Sequence, residues 1–150
     1  MPQSLSKILL HIVFSTKNRE PLIGKKQKNE LYAYLSKIVN SNQSHAFLIG
    51  GMPDHVHVAC SLGRTISVAK LIEEIKKSSS KWIKTKGGVY EHFSWQAGYG
   101  AFSLGMSQLP DLLDYIERQE EHHRFQTFQE EYLEFLEKYK IEYDPKYVWD

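Results

Sequence analysis

The amino-acid sequence predicts an α+β fold in which an antiparallel sheet carries helices on one face. Two observations lead there. Along the chain, apolar residues recur with the period of strand, helix, strand, strand, helix, strand and then helices. The 150 residues are also enough to bury about two-thirds or more of the surface an unfolded chain exposes, so one domain spanning 1–150 is expected.

Residues 7–16, rich in Leu, Ile, Val and Phe, read as a buried strand that ends in the polar turn Lys17-Asn18-Arg19-Glu20-Pro21. Residues 25–40 read as a helix, because Leu31, Tyr34, Leu35 and Ile38 recur at three and four before the stop Asn40-Ser41-Asn42. Two short apolar runs, 46–51 and 55–62, are joined by Gly51-Met52-Pro53-Asp54 and form a hairpin. A second helix runs from about Ser67 to Lys84, with Val68, Leu71, Ile72, Ile75, Trp82 and Ile83 inward, and Gly87-Gly88 closes it.

Residues 93–104 are expected to be a strand broken near Gly98-Tyr99-Gly100. A third helix opens at Ser107, tolerates Pro110 in its first turn and reaches about His123. A last helix covers 127–139, with Phe128, Tyr132, Phe135 and Leu136 inward. This order matches the split βαβ arrangement of ferredoxin-like folds, which serves many unrelated activities.

Composition narrows the function classes. The single Cys60 excludes an internal disulfide and thiolate-rich zinc sites and suits a reducing cytoplasm. No stretch approaches the roughly 18 apolar residues of a membrane span, and residues 1–7 lack a signal core, so a cytoplasmic protein without a membrane partner is expected. Residues 1–90 carry 14 Lys/Arg against 5 Asp/Glu, and residues 91–150 carry 5 against 13, which suggests one basic face able to meet phosphates.

The sharpest motif is Asp54-His55-Val56-His57-Val58. Strand alternation sends both imidazoles to one face and both valines to the other, so the histidines can converge on a divalent metal. An isolated pair of this kind is more often two satisfied or exposed histidines, and more ligands are needed. On the third helix, Tyr115 and Gln119 stand four apart on one face, with His122 a turn beyond. On the second helix Lys70, Lys77, Lys81 and Lys84 share a face, with Lys76 beside them, and form either a phosphate track or a solvated stripe. Lys17, Arg19, Lys25, Lys26 and Lys28 make a second basic cluster. Tyr99 and Phe102 are candidates to stack unpaired bases, and His11 reads as a packed histidine.

These motifs, together with Trp95-Gln96-Ala97-Gly98-Tyr99-Gly100-Ala101-Phe102-Ser103, Tyr115-Ile116-Glu117-Arg118-Gln119-Glu120-Glu121-His122-His123 and the tail Ile141-Glu142-Tyr143-Asp144 with Trp149-Asp150, resemble the single-tyrosine HUH transposases of bacterial insertion sequences. The name denotes His, a bulky hydrophobic residue, and His. The resemblance covers nearly the whole chain. It implies an HUH-endonuclease type of fold, metal ligation by His55, His57 and Gln119, and Tyr115 as nucleophile. It further implies Mg2+ or Mn2+ as cofactor, single-stranded DNA with hairpin ends as substrate, and a homodimer in which active sites can be shared between subunits.

Two imidazoles and an amide oxygen are softer than magnesium's usual oxygen set and would suit manganese better. Three other readings stay open on sequence: a chromosomal relative that processes repeated palindromes, a non-catalytic single-strand binding module, and a metal hydrolase using activated water.

Overall fold

The structure is a computed structural model that describes residues 2–150. Its centre is a four-stranded antiparallel sheet in the order β2-β3-β1-β4, built from β1 (Leu9–Ser15), β2 (His45–Met52), β3 (His55–Ser61) and β4 (Gly100–Leu104). Strand β1 is buried along its whole length because it is central and covered on both faces. The β2–β3 hairpin pairs Met52 with His55 across the two-residue turn Pro53-Asp54, which fixes the register that places His57 opposite Val13 and Gly50.

Alternation divides the core. Leu10, Ile12, Phe14, Val56, Val58 and Cys60 point to the face covered by α1 (Lys25–Ser41) and α2 (Val68–Lys84), where they meet Leu31, Leu35, Leu71, Ile72 and Ile75. Ser67 caps α2 by accepting from the Lys70 amide at 3.0 Å. This is the helical layer that the sequence predicts. The opposite face is covered too, by α3 (Leu109–Glu117), the single turn α4 (Gln119–His122) and α5 (Phe128–Lys138), with Val13, Phe102, Phe128, Tyr132 and Leu136 as a second, smaller cluster. Helices on one face therefore describe only the first two, because the apolar stripe of α5 needs a surface and the His55/His57 side of the sheet supplies it.

Two further expectations change. Residues 93–99 do not form a strand: Trp95 makes a lone bridge to Thr16, and only Gly100–Leu104 joins the sheet. The backbone there is satisfied by the Lys76 side chain and by scattered backbone partners instead. Lys76 Nζ donates to the carbonyls of Gln96 at 2.8 Å, Ala97 at 3.2 Å and Gly98 at 2.5 Å, while the Gln96 side chain accepts from the Ser15 amide at 2.8 Å. The long third helix is broken at Arg118, whose φ of −97° and ψ of 22° separate α3 from α4.

Two glycines seat the C-terminal helices. A Cβ on Gly100 would lie 2.8 Å from the Tyr132 ring, and one on Gly50 would lie 2.7 Å from Ile116 Cγ2 and 3.1 Å from the Ile116 carbonyl. Hydrogen in place of a side chain lets α3 lie directly on β2 beside His57. Gly50→Val is expected to cost about 1–3 kcal/mol in urea unfolding, because overpacking at that contact must push α3 outward.

Candidate functional site

The strands and helices bring four of the residues singled out in the sequence to one place. His55 and His57 point from β3 to the α3–α5 side, and both are fully buried. Gln119, at the start of α4, turns its Oε1 to within 3.0 Å of His55 Nε2. The Tyr115 ring stands 5.8 Å from that of His57 by centroid, and His122 stacks on its other side at 4.5 Å. The break at Arg118 does not separate Tyr115 from Gln119, and both reach the histidines.

Three further groups complete the cluster. Glu131, on α5, is buried and places Oε1 at 3.1 Å from His57 Nε2 and 3.3 Å from His55 Nε2. Its Oε2 accepts from the Tyr115 hydroxyl and, at 3.1 Å, from Gln119 Nε2. His11 holds His57 from behind, Nε2 to Nδ1 at 2.7 Å, and Asp54 accepts from His55 Nδ1 at 2.7 Å. One sequence signal marked Glu131: it falls with Phe128, Tyr132, Phe135 and Leu136 on the apolar stripe of α5, where a carboxylate is out of place unless it has partners. His11 belongs to the inward side of β1 and is packed as expected, but packed against a site residue.

Donor atoms of His55, His57 and Glu131 all lie within 4.8 Å of one another, as a shared cation requires. The neighbours of the two histidines suit that use. Each ring has its Nδ1 engaged, by the Asp54 carboxylate or by His11, leaving Nε2 turned inward. The donor set fits a divalent metal.

The electrostatics follow from burial and close charge. Burial works against a charged His55, but the hydrogen bonds to Asp54 and Glu131 outweigh it and push the imidazole up to about 9. Burial dominates at His57 and lowers it despite Glu131. His11 is lowered well below the ordinary imidazole value by burial and then by His57. Burial would raise Glu131, yet hydrogen bonds from His123, His55 and His57 hold it far below the usual carboxylate range. The Tyr115 phenol is raised above its ordinary value by burial and by the charge and hydrogen bond of Glu131.

The basic residues fall elsewhere. Lys70, Lys77, Lys81 and Lys84 lie on α2, behind the opposite face of the sheet, and Lys70 and Lys77 are near Glu74 at 3.2 and 4.0 Å. The structure does not bring them to the histidines. Arg19 does lie at the His55 end of the sheet, where the Thr16 amide donates to the Asp54 carbonyl at 2.9 Å, and its guanidinium stacks 5.6 Å from the Trp149 ring. Phe102 is core, whereas Tyr99 is partly exposed. A cavity of about 280 Å³ opens beside Tyr115, lined by His11, Gln108, Asp111, Phe135, Lys138 and Tyr139 among others.

An antiparallel sheet with its central histidine pair facing a tyrosine on a following helix defines an α+β fold of the HUH transposase type. The chain belongs to the family described as Transposase IS200 like, whose profile matches residues 4–119. Among solved structures it is similar to a candidate transposase from Deinococcus radiodurans, with 19% identity and a TM-score of 0.62 over 79% of this chain and 98% of that one. It is also similar to a REP-associated tyrosine transposase bound to a REP hairpin, with 17% identity and a TM-score of 0.60 over 82% of this chain and 73% of that one. At those identities the likeness is one of fold. No curated protein matches the chain. Among the described residues, no helix is long and apolar enough to cross a membrane.

Proposed function

We propose that this transposase cleaves and rejoins single-stranded DNA through a 5′-phosphotyrosine on Tyr115, with Mg2+ or Mn2+ held by His55, His57 and Gln119. The observation that carries the reading is the meeting of the Tyr115 hydroxyl, Gln119 and both histidines at one buried carboxylate within a single chain. When bound, the ion would polarise the scissile phosphate and offset its charge.

The chain's own residues do the rest. Asp54 and His11 orient the two imidazoles, and the hydrogen bond of the Tyr115 hydroxyl fixes the phenol oxygen beside them. Attack by that oxygen forms an O–P bond while the bond from phosphorus to the 3′ oxygen breaks. The phenol gives up its proton and the departing 3′ oxygen takes one. Because the linkage keeps the energy of the broken bond, a second 3′-hydroxyl can reverse the step on a new strand without ATP.

Arg19 is the DNA contact nearest the site in this reading. Lys70, Lys77, Lys81 and Lys84 would meet only DNA that passes behind the sheet, such as a hairpin stem. A hairpin substrate draws support from the neighbour bound to a REP hairpin, and a role in processing repeated palindromes is the second reading that this favours. The cytoplasm is the expected compartment.

The test is a denaturing gel of the protein with labelled single strands from the gene's flanks, with and without Mn2+ or Mg2+. A metal-dependent covalent adduct supports the reading. Cleavage without an adduct points to a hydrolase, and binding without cleavage of strands known to contain the ends points to a binding module.

A homodimer is retained from the family resemblance, but each chain's α3 sits on its own β2, which favours a site completed within one subunit. Mixed Tyr115→Phe and His57→Ala proteins, co-refolded, are therefore expected to yield no adduct. Recovery toward half of the unaltered activity would instead establish sharing between subunits.

A further inference from the structure

Resting on the metal-dependent reading above, we propose that Glu131 is a ligand of the same cation and also the group that holds the Tyr115 hydroxyl beside it. Helix α5 then carries part of the catalytic machinery. The two oxygens of Glu131 have separate partners. Oε1 faces three ring nitrogens, His57 Nε2 at 3.1 Å, His123 Nε2 at 3.2 Å and His55 Nε2 at 3.3 Å, whereas Oε2 accepts from the Tyr115 hydroxyl and the Gln119 amide. One carboxylate thus links the position of the ion to the position of the nucleophile.

The hydrogen-bond pattern turns several ring nitrogens to one carboxylate oxygen. A carboxylate and a carbonyl only accept, so His55 Nδ1 donates to Asp54 and His123 Nδ1 donates to the Gln126 carbonyl at 2.7 Å. Their Nε2 atoms, with that of His57, converge on Glu131 Oε1, and His55 Nε2 also faces Gln119 Oε1 at 3.0 Å. A bound cation would take the place of the imidazole protons that bridge to this carboxylate, with the same inward Nε2 atoms as its ligands. His123, only 6% exposed, brings a third buried ring nitrogen to the same oxygen, Nε2 to Oε1 at 3.2 Å.

The spacing and the chemistry of the set agree. Ligands about 2.1 Å from an octahedral ion and at right angles stand about 3 Å apart, close to the 3.0–3.3 Å found between the facing donors. Two imidazoles and an amide form a neutral set; adding a carboxylate supplies a negative charge and a hard oxygen, which is what Mg2+ and Mn2+ prefer. A Glu131 that served only to anchor α5 would not need one oxygen at three ring nitrogens and the other at the Tyr115 hydroxyl.

The test measures binding of Mn2+ alone, by titration calorimetry and by the loss of free-ion EPR signal, to the full chain, Glu131→Gln and Glu131→Asp, with near-ultraviolet circular dichroism to establish folding. Glu131→Gln is expected to bind Mn2+ at least about 10–100-fold more weakly, with Glu131→Asp between the two. A folded Glu131→Gln protein with unaltered Mn2+ affinity overturns the assignment. Anomalous diffraction from Mn2+-soaked crystals of the unaltered protein needs no variant. An ion within about 2.0–2.6 Å of a Glu131 oxygen supports the proposal, and one held by His55 and His57 away from Glu131 overturns it. Failure of the parent reading is distinct, because the unaltered protein would then bind no Mn2+ or would form no adduct with Glu131 intact.

Discussion

Tyr115→Phe is expected to abolish the covalent protein–DNA adduct and to lower strand cleavage by at least about 10³-fold, because no other group replaces a lost nucleophile. The neighbouring hydroxyls do not stand in for it. Tyr132 is buried in the aromatic cluster beneath α5, and the Tyr139 hydroxyl donates to the Ser103 carbonyl at 3.2 Å. The substitution is also mild. Phenylalanine keeps the ring between His57 and His122, and the loss of one hydrogen bond to Glu131 costs about 1 kcal/mol. Mn2+ binding should therefore survive, so calorimetry on the same variant separates a chemical defect from a collapsed site. A variant that binds Mn2+ and still cleaves at the original rate would assign the reaction to water.

Mn2+ affinity is expected to rise steeply with pH, by roughly tenfold per unit below about 9, hence on the order of 100-fold between pH 6.5 and 9. The cause is His55, whose imidazole burial would lower but whose bonds to Asp54 and Glu131 hold at about 9. A metal must displace that proton. His57, lowered by burial, is already neutral and adds no such cost. Calorimetry at pH 7 in buffers of different ionisation enthalpy should find about one proton released per ion. The metal-free protein should respond in the opposite sense. A raised imidazole contributes stability that is present below its unfolded value near 6.5 and is lost as pH climbs through about 9, so apo stability falls across that window. A pH-independent Mn2+ affinity would show that His55 is not a ligand.

Much of this was legible in the residues. Periodicity located β1, α1, the hairpin and α2 to within about two residues, because each is a local pattern closed by a local stop. The pairs His55/His57 and Tyr115/Gln119 were legible for the same reason: a period of two or four fixes which side chains share a face. What escaped is non-local. Residues 93–99 look strand-like because Phe93 and Trp95 are apolar, yet those rings fill the core while Lys76 takes up the carbonyls of Gln96, Ala97 and Gly98. Glu131 was hidden in an acidic pair at the start of a helix, where carboxylates usually favour the dipole. Its place on the apolar stripe sets it apart from Glu130, which caps the helix through Thr127, but only the packing of α5 onto the His55/His57 face shows what it meets.

The single tyrosine at the histidines has a consequence in stoichiometry. If Tyr115 forms the proposed linkage, one phenol holds one 5′ end at a time, so a chain can keep hold of one broken strand and no more. A DNA segment has two ends to be freed and joined, and if both are held at once two chains are needed. Pairing of subunits would then arise from counting strand ends, even if each subunit builds its own site.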